Sequence, residues 1–263
     1  MISNTTPTIK KSLKTAAIAA AALTLALLQG CATGPNANPE DPLEPFNRTV
    51  YNFNDGLDRA VLKPVATVYR DATPQLVRTG VTNFFSNLGD LVSLVNNALQ
   101  GKPVETTDTL FRLTTNTVFG LGGIFDVASD LGIEKHKEDF GQTLGVWGLE
   151  SGPYVVLPLF GPSTVRDTGG LVVDSQFDVV GQTSDVSARN SMQALRLVNL
   201  RANLLAAGDL LEQSALDKYS FTRDVYLQRR RAQIGGKAVQ EERYDLPESG
   251  PAAATPAAVA PAR

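Results

Sequence analysis

Between Asp41 and Arg70 the apolar residues Phe46, Val50, Phe53, Leu57 and Val61 recur at spacings of four, three, four and four. That period predicts an amphipathic helix, with Pro45 suited to its first turn and Arg48, Asn52, Asp55, Asp58 and Arg59 on the opposite face. The stripe has two possible destinations, a protein core or a membrane interface in which Phe46, Tyr51 and Phe53 sit in lipid. From Pro74 to Gln100 a wide apolar face (Val77, Val81, Phe84, Phe85, Leu88, Leu91, Val92, Val95, Leu99) predicts a second helix, expected to be largely buried and stopped by Gly101 and Pro103. A third, from about Glu105 to Phe119, groups Leu110, Leu113, Thr114 and Val118 opposite Asp108 and Arg112. Further helices are predicted from Asn190 to Gln213 and from Asp217 to Gln233. The last ends in Arg229, Arg230 and Arg231, which suit a helix C-terminus as a solvated face, or a contact with phosphates or an acidic partner.

One stretch breaks this pattern. Asp139–Gly170 holds seven glycines and three prolines in 32 residues, yet Leu144, Val146, Trp147, Leu149, Tyr154, Val155, Val156, Leu157, Leu159 and Phe160 make it too apolar for a solvated linker. It reads as an irregular inner wall framed by helices, whose polar neighbours would satisfy its freed backbone groups. The alternative is a pair of short buried strands joined by turns, since YVVLPLF alone matches such a strand.

The ends of the chain have a different character. Lys10, Lys11 and Lys14 precede an apolar run of 13 residues from Ala16 to Leu28, too short for the roughly 20 residues of a spanning helix and typical of a signal peptide. The sole cysteine, Cys31, follows Leu28-Gln29-Gly30, which resembles a bacterial lipobox apart from the large Gln29. Cleavage before Cys31 and its acylation would tie residues 31–40 to a leaflet as a short tether. The absence of Asp after Cys31 resembles the signal for transport to the outer membrane of diderm bacteria. Loss of residues 1–30 removes three lysines and no acids, turning a net charge of −3 into −6. An acidic chain with no basic stripe argues against nucleic-acid binding. Residues 235–263 end in a Pro/Ala-rich run that cannot build a core and is expected to be disordered.

Motifs for catalysis are absent. His136, the only histidine, lies among charged residues; with no second histidine and Cys31 acylated no common zinc site or Cys-His pair can form, a Ser-His-Asp triad would rest wholly on His136, and no G-x-S-x-G elbow occurs. Gly120, Gly122 and Gly123 lack the register of a dinucleotide fingerprint and suit a helix C-cap or packing notch. Neither an enzyme nor a cofactor is expected.

DPLEPFNR (Asp41–Arg48), YNFND (Tyr51–Asp55), NFFSNL (Asn83–Leu88), NTVFGLGGIFDVA (Asn116–Ala128), DFGQTLGVWG (Asp139–Gly148) and GPYVVLPLFGPSTVRD (Gly152–Asp167) together resemble the MlaA (VacJ) family of outer-membrane lipoproteins. The resemblance implies a mainly α, single ring-like domain over residues 41–234, held in the inner leaflet of the outer membrane around a central amphipathic channel. It also implies removal of misplaced phospholipid from the outer leaflet, association with a trimeric porin, and transfer to the periplasmic lipid carrier MlaC. Gly120, Gly122 and Gly123 then become hinge candidates below a hairpin from Ile124 to about Phe140. On this reading Gln142, Thr143, Arg166 and Asp167 are channel-wall candidates, with Arg166 expected to meet phosphate. A porin-associated adaptor without transport activity of its own is the competing expectation.

Overall fold

A computed structural model describes residues 38–235; Cys31, the leader, most of the tether and the tail beyond Gly235 lie outside them. The chain is mainly helical. Helix α1 (Glu44–Leu57) opens with Pro45 in its first turn and runs through a widened π turn (Asp58–Leu62) into α2 (Lys63–Ala72). The widening has a local cause. Pro64 has no N–H and its ring collides with the carbonyl four residues back, which an expanded turn relieves; Lys63 N–H accordingly reaches back to the Asp58 carbonyl.

Helices α3 (Gln75–Leu99) and α4 (Pro103–Val118) form the most extensive helix pair. A short turn of helix, α5 (Val127–Asp130), is capped by Asp126, and an extended strap then leads to α6 (Phe140–Val146). Asp139 and Gln142 close a capping box at the start of α6. A hairpin follows, β1 (Tyr154–Leu157) antiparallel to β2 (Gly161–Thr164), with Tyr154 opposite Thr164 and Leu157 opposite Gly161. Thr164 caps α7 (Val165–Asp174), and Asp185 caps α8 (Val186–Asn203). Two more helices complete the described residues, α9 (Leu205–Ser214) and α10 (Lys218–Gly235).

The stretch from Asp139 to Gly170 is therefore more regular than an irregular wall. It contains a helix, a two-stranded hairpin and the first half of α7. Its glycines serve helix packing as well as turns. A Cβ on Gly170 would lie 2.4 Å from the Gly141 nitrogen, and one on Gly141 would lie 2.7 Å from Arg230 Nη2 and Asp167 Oδ1, so α6 and α7 cross with backbones almost touching.

The outer edge of β1 is covered by side chains of α1. Asn47 Nδ2 donates to the Tyr154 carbonyl (3.0 Å) while its Oδ1 accepts from Val156 N–H (2.9 Å). Two turns on, Asn54 Nδ2 donates to the Leu157 carbonyl (3.0 Å) and its Oδ1 accepts from Leu159 N–H (2.9 Å). The two amides act as a substitute third strand, satisfying backbone groups that would otherwise be unpaired beside apolar neighbours. Beneath the hairpin Tyr154, Val156, Tyr219 and Leu227 form a small apolar core, flanked by Val50, Tyr51 and Tyr226.

Elsewhere the usual arrangement is reversed. The fully buried side chains are dominated by polar ones, among them Asn47, Asp90, Asn96, Asn97, Thr109, Arg112 and Thr143. Large apolar residues, including Phe53, Leu76, Phe111, Phe119, Leu159 and Phe160, are exposed. On α4 the reversal occurs between adjacent positions, with Phe111 57% exposed and Arg112 1%. The expectation that the apolar face of Pro74–Gln100 is buried holds only in part, and polar residues are the more deeply buried. The buried positions of α3 are Gly80, Asn87, Asp90, Ser93, Asn96 and Asn97, while Val77 and Leu99 are exposed and the apolar residues between them are half-buried. On α4 the inward face is Thr109, Arg112 and Asn116, and Leu110 and Val118 face outward. None of the described helices is long and apolar enough to cross a membrane.

Candidate functional site: a polar interior beneath an apolar surface

The interior is built from polar clusters that helix spacing brings inward. Asn87, Asp90 and Asn97 recur at three and seven on α3, and Thr109, Arg112 and Asn116 at three and four on α4, so each helix turns one polar stripe toward the other. Arg112 Nη2 donates to both Asp126 oxygens (2.8 and 2.9 Å), and Nη1 donates to Ser129 Oγ (3.1 Å) and the Ile133 carbonyl. Burial pushes the Asp126 carboxyl up, but hydrogen bonds from Ser129 and Asn116 and the nearby Arg112 charge outweigh it and bring it down to about 2. Above the α3 stripe lies the strap. Lys135 pairs with Asp90 (2.9 Å), the His136 carbonyl accepts from Asn97, and Glu138 pairs with Lys102 (2.8 Å). Burial raises the Asp90 carboxyl despite Lys135. Among the described residues Asn87 Oδ1, Asp90 Oδ2 and Asn97 Oδ1 are buried without a partner, so the stripe has acceptor capacity to spare there.

A second cluster joins α6, α7 and α10. Asp167 accepts from Arg166 Nε (2.9 Å) and Nη2 (2.8 Å), from Tyr226 Oη (2.7 Å) and from Arg230 Nε (2.9 Å). Arg230 also spans to Asp139 (2.6 and 2.9 Å). Burial raises the Asp167 carboxyl, and the bonds from Arg230 and Tyr226 more than reverse it, holding the group below the usual carboxylate range. Thr143 Oγ1 donates to Asn96 Oδ1 (2.7 Å), Asn96 Nδ2 donates to Asp174 (3.0 Å), and Asp174 accepts from Phe140 N–H (2.9 Å).

Four candidates from the sequence thus fall inside this network. Gln142 and Thr143 are buried, the first as half of the capping box. Arg166 is buried with its fork closed on Asp167 and Nη1 on the Leu149 carbonyl (3.3 Å), so the expected phosphate contact is not available to it. Asp167 joins three cationic or phenolic donors and is structural in its surroundings. Phe46 and Phe53 lie on the exposed apolar face of α1. Tyr51 does not join them; its ring packs edge-on against Tyr219 (5.7 Å between centroids), one position around the helix toward the core.

Gly120 and Gly123 are packed tightly. A Cβ on Gly120 would lie 2.2 Å from the Phe125 carbonyl oxygen, and one on Gly123 2.6 Å from Asn87 Cβ, whereas Gly122 (φ 71°) has open space. Of the terminal arginines, Arg230 is largely covered and paired with Asp139 and Asp167, which removes the solvated reading for it, whereas Arg231, paired with Glu40, stays exposed as a solvated face. His136 Nε2 lies 3.0 Å from Asp108. Among the described residues no group of three or more His, Cys, Asp or Glu side chains could hold a metal.

Sequence reasoning missed Asn47 and Asn54, whose seven-residue spacing in FNR and FND was a readable sign of two amides on one helix face. It also missed an opening between α3 and α8. Gln75, Arg78, Thr79, Thr82 and Asn203 line a cavity of about 310 Å³ there. No local pattern pointed to it, because its walls come from positions more than 100 residues apart.

Comparison with known proteins gives a consistent result. The MlaA lipoprotein family model matches residues 39–233. The chain is 39% identical over 218 residues to the intermembrane phospholipid transport system lipoprotein MlaA of Escherichia coli K12, covering 81% of this chain and 86% of that protein. It is 33% identical over 250 residues to the protein of the same name from Haemophilus influenzae, covering 90% and 97%. A solved structure described as the structural basis for maintenance of bacterial outer membrane lipid asymmetry superimposes with a TM-score of 0.66 at 36% identity, covering 74% of this chain and 98% of the other.

Proposed function

Because the chain belongs to the MlaA lipoprotein family, we propose that it works in intermembrane phospholipid transport, removing phospholipid that has strayed into the outer leaflet of the outer membrane and passing it to a periplasmic lipid carrier. The observation that carries this reading is the reversal of polarity, with amides, carboxylates and guanidinium groups buried and phenylalanine, leucine and valine exposed. In water such a surface would be covered or would aggregate. In hydrocarbon it is the stable arrangement, because each unpaired polar group facing lipid costs several kcal/mol (about 4–8 on a cyclohexane scale).

With no spanning helix among the described residues, contact with the bilayer comes from the outward faces of α1, α3 and α4. Acylated Cys31 would add the anchor and hold the domain within one leaflet. A headgroup moving past such a body needs polar partners while its acyl chains stay in lipid, and an apolar exterior over a polar interior supplies both in one protein. The domain would form a ring around that polar passage. Its natural neighbours are a trimeric porin, whose outer wall would accept the apolar faces, and the carrier MlaC on the periplasmic side. No bond is broken in this process. The drive is the higher free energy of phospholipid in the wrong leaflet together with capture by the carrier.

The test is reconstitution of the purified lipoprotein into asymmetric vesicles with a soluble lipid acceptor outside. Outer-leaflet phospholipid should fall with no fatty acid or lysolipid produced. Unchanged asymmetry would leave only an adaptor role, and cleavage products would identify a hydrolase.

A further inference from the structure

The cavity between α3 and α8 is lined by the polar residues Gln75, Arg78, Thr79, Thr82 and Asn203, while the chain neighbours of its two ends, Leu76 beside Gln75 and Leu200 and Leu204 within one turn of Asn203, are apolar and exposed. One wall is already saturated. Thr82 Oγ1 donates to the Arg78 carbonyl (2.9 Å) and accepts from Asn199 Nδ2 (2.9 Å) and Asn203 Nδ2 (3.0 Å), and Asn199 is held in turn by Tyr69 Oη (3.1 Å). The two helices are thereby fixed at a set separation.

The other wall has donors to spare. Among residues 38–235, Arg78, Arg189 and Arg229 are the arginines that make no ion pair within 4.0 Å, and of these Arg78 lines the cavity. Its Nε donates to the Thr73 carbonyl (3.2 Å), which orients the guanidinium and leaves both terminal nitrogens without a protein partner among the described residues. Next to it, the Thr79 hydroxyl and the Gln75 amide also have no side-chain partner there. Arg78 is half-buried in a cleft whose Gln75, Thr79 and Asn203 are exposed, and Asp71, the carboxylate within its electrostatic reach, is already paired with Arg70 (2.8 Å), so this is a cation accessible to an anion from outside.

We propose that this cavity binds the phosphate of a phospholipid headgroup, with Arg78 as the charged donor and Thr79 and Gln75 completing the contact, while the acyl chains lie outward over Leu76, Leu200 and Leu204. The assignment rests on the transport reading above and gives it a particular contact. A planar fork meets two phosphate oxygens at once, which a point charge does not. The same donors would take inorganic phosphate, and the apolar rim is what favours the lipid form.

The test uses the full-length lipoprotein in mixed micelles of a non-ionic detergent with phosphatidylglycerol, and in parallel with a diacylglycerol of the same acyl chains. Lipid retained on the protein is counted by native mass spectrometry. Wild type should retain the phospholipid in preference to the diacylglycerol. Arg78→Gln should lower phospholipid retention about tenfold or more, leave diacylglycerol retention unchanged, and abolish the preference. Arg78→Lys should fall between them, and Arg189→Gln should match wild type. Should Arg78→Gln fail to fold, Arg78→Lys and Thr79→Val carry the same comparison. Equal retention in wild type and the Arg78 variants, or equal loss of both lipids, overturns the assignment; transport by wild type in asymmetric vesicles would stand regardless. Displacement of the phospholipid by millimolar inorganic phosphate would make this a free-phosphate site and overturn the lipid assignment.

Discussion

Replacing Arg112 by Met keeps the aliphatic stem inside α4 and removes only the guanidinium. That group makes a two-point contact with Asp126 and reaches Ser129 and the Ile133 carbonyl, so one side chain fastens α4 to the loop, to α5 and to the start of the strap. Breaking a buried ion pair by deleting one partner costs about 3–5 kcal/mol because the other charge is stranded. Arg112 is 2% exposed in its side chain but Asp126 is 31% exposed, so water can recover part of the carboxylate's solvation. We expect about 2–3 kcal/mol, read as a lowered midpoint of unfolding in detergent. Arg112→Lys retains the charge without the second terminal nitrogen that reaches Ser129 and the Ile133 carbonyl, and should lose about 1–2 kcal/mol. In the double variant with Asp126→Asn no carboxylate is stranded, and the summed losses should exceed the measured loss by about 1 kcal/mol. Amide exchange should locate the damage, accelerating at residues 127–133 before α1 or α10. A methionine variant within about 0.5 kcal/mol of wild type, with unchanged exchange in that segment, would refute the reasoning.

Three further predictions concern other parts of the frame. Gly120→Ala should destabilise severely or prevent folding, because its methyl would meet two backbone carbonyl oxygens at 2.2 and 2.4 Å. Gly122→Ala, in open space at φ 71°, should cost only about 1 kcal/mol of backbone strain, and thermal unfolding of the pair distinguishes a packing notch from a free hinge. The folded Asp126 carboxyl at about 2 lies below the unfolded value near 3.9, so its contribution is full above about pH 4 and lost as pH falls toward 2. Asp126→Asn should flatten that part of the acid limb in a pH series of unfolding midpoints. Asp90 has the opposite sign, since burial raises it, and its protonation favours the folded state as pH falls. Tyr219→Phe removes the hydroxyl that donates to buried Asp41 (2.5 Å), leaving Asn47 and Arg223 as its partners. A loss of about 1–3 kcal/mol in unfolding stability is expected.

The long helices were legible in the sequence because the 3.6-residue period does not depend on which solvent lies outside. The one helix expected from Asn190 to Gln213 is nevertheless two, broken at Leu204, and the short helices Phe140–Val146 and Val165–Asp174 were missed. The facing of the long helices was not legible either. Reading the Val77, Val81, Phe84, Leu88 stripe as buried applies a rule for proteins in water, and the same period carries Asn87, Asp90 and Asn97 on the other side, which is the side that is buried. Two patterns of equal strength were present, and choosing between them requires knowing the surrounding medium. The motif blocks identified the family but not the work of their residues. Asn47 and Asn54 serve the edge of a strand about 100 residues away, and Arg166 closes on its own neighbour, Asp167. Glycine-rich composition from Asp139 to Gly170 suggested broken backbone, whereas Gly141 and Gly170 allow two helices to touch. The continuous apolar run YVVLPLF was the visible sign of a strand, and the strand-pair alternative describes Tyr154–Thr164 correctly.

The proposed transport role depends on what surrounds the apolar surface. Trp147 is the only tryptophan, is 57% exposed beside exposed Val146 and Leu149, and donates its indole N–H to the Leu99 carbonyl (3.1 Å). The most direct measurement is therefore its fluorescence in vesicles containing lipids brominated on the acyl chains, compared with quenching by aqueous iodide, and repeated with the tryptophan moved to Phe111 in a W147F/F111W chain. Strong quenching by the brominated chains and protection from iodide at both positions is the predicted result. Free access of iodide with no effect of bromine at both positions would mean that water covers these faces, and the inverted arrangement would lose its explanation.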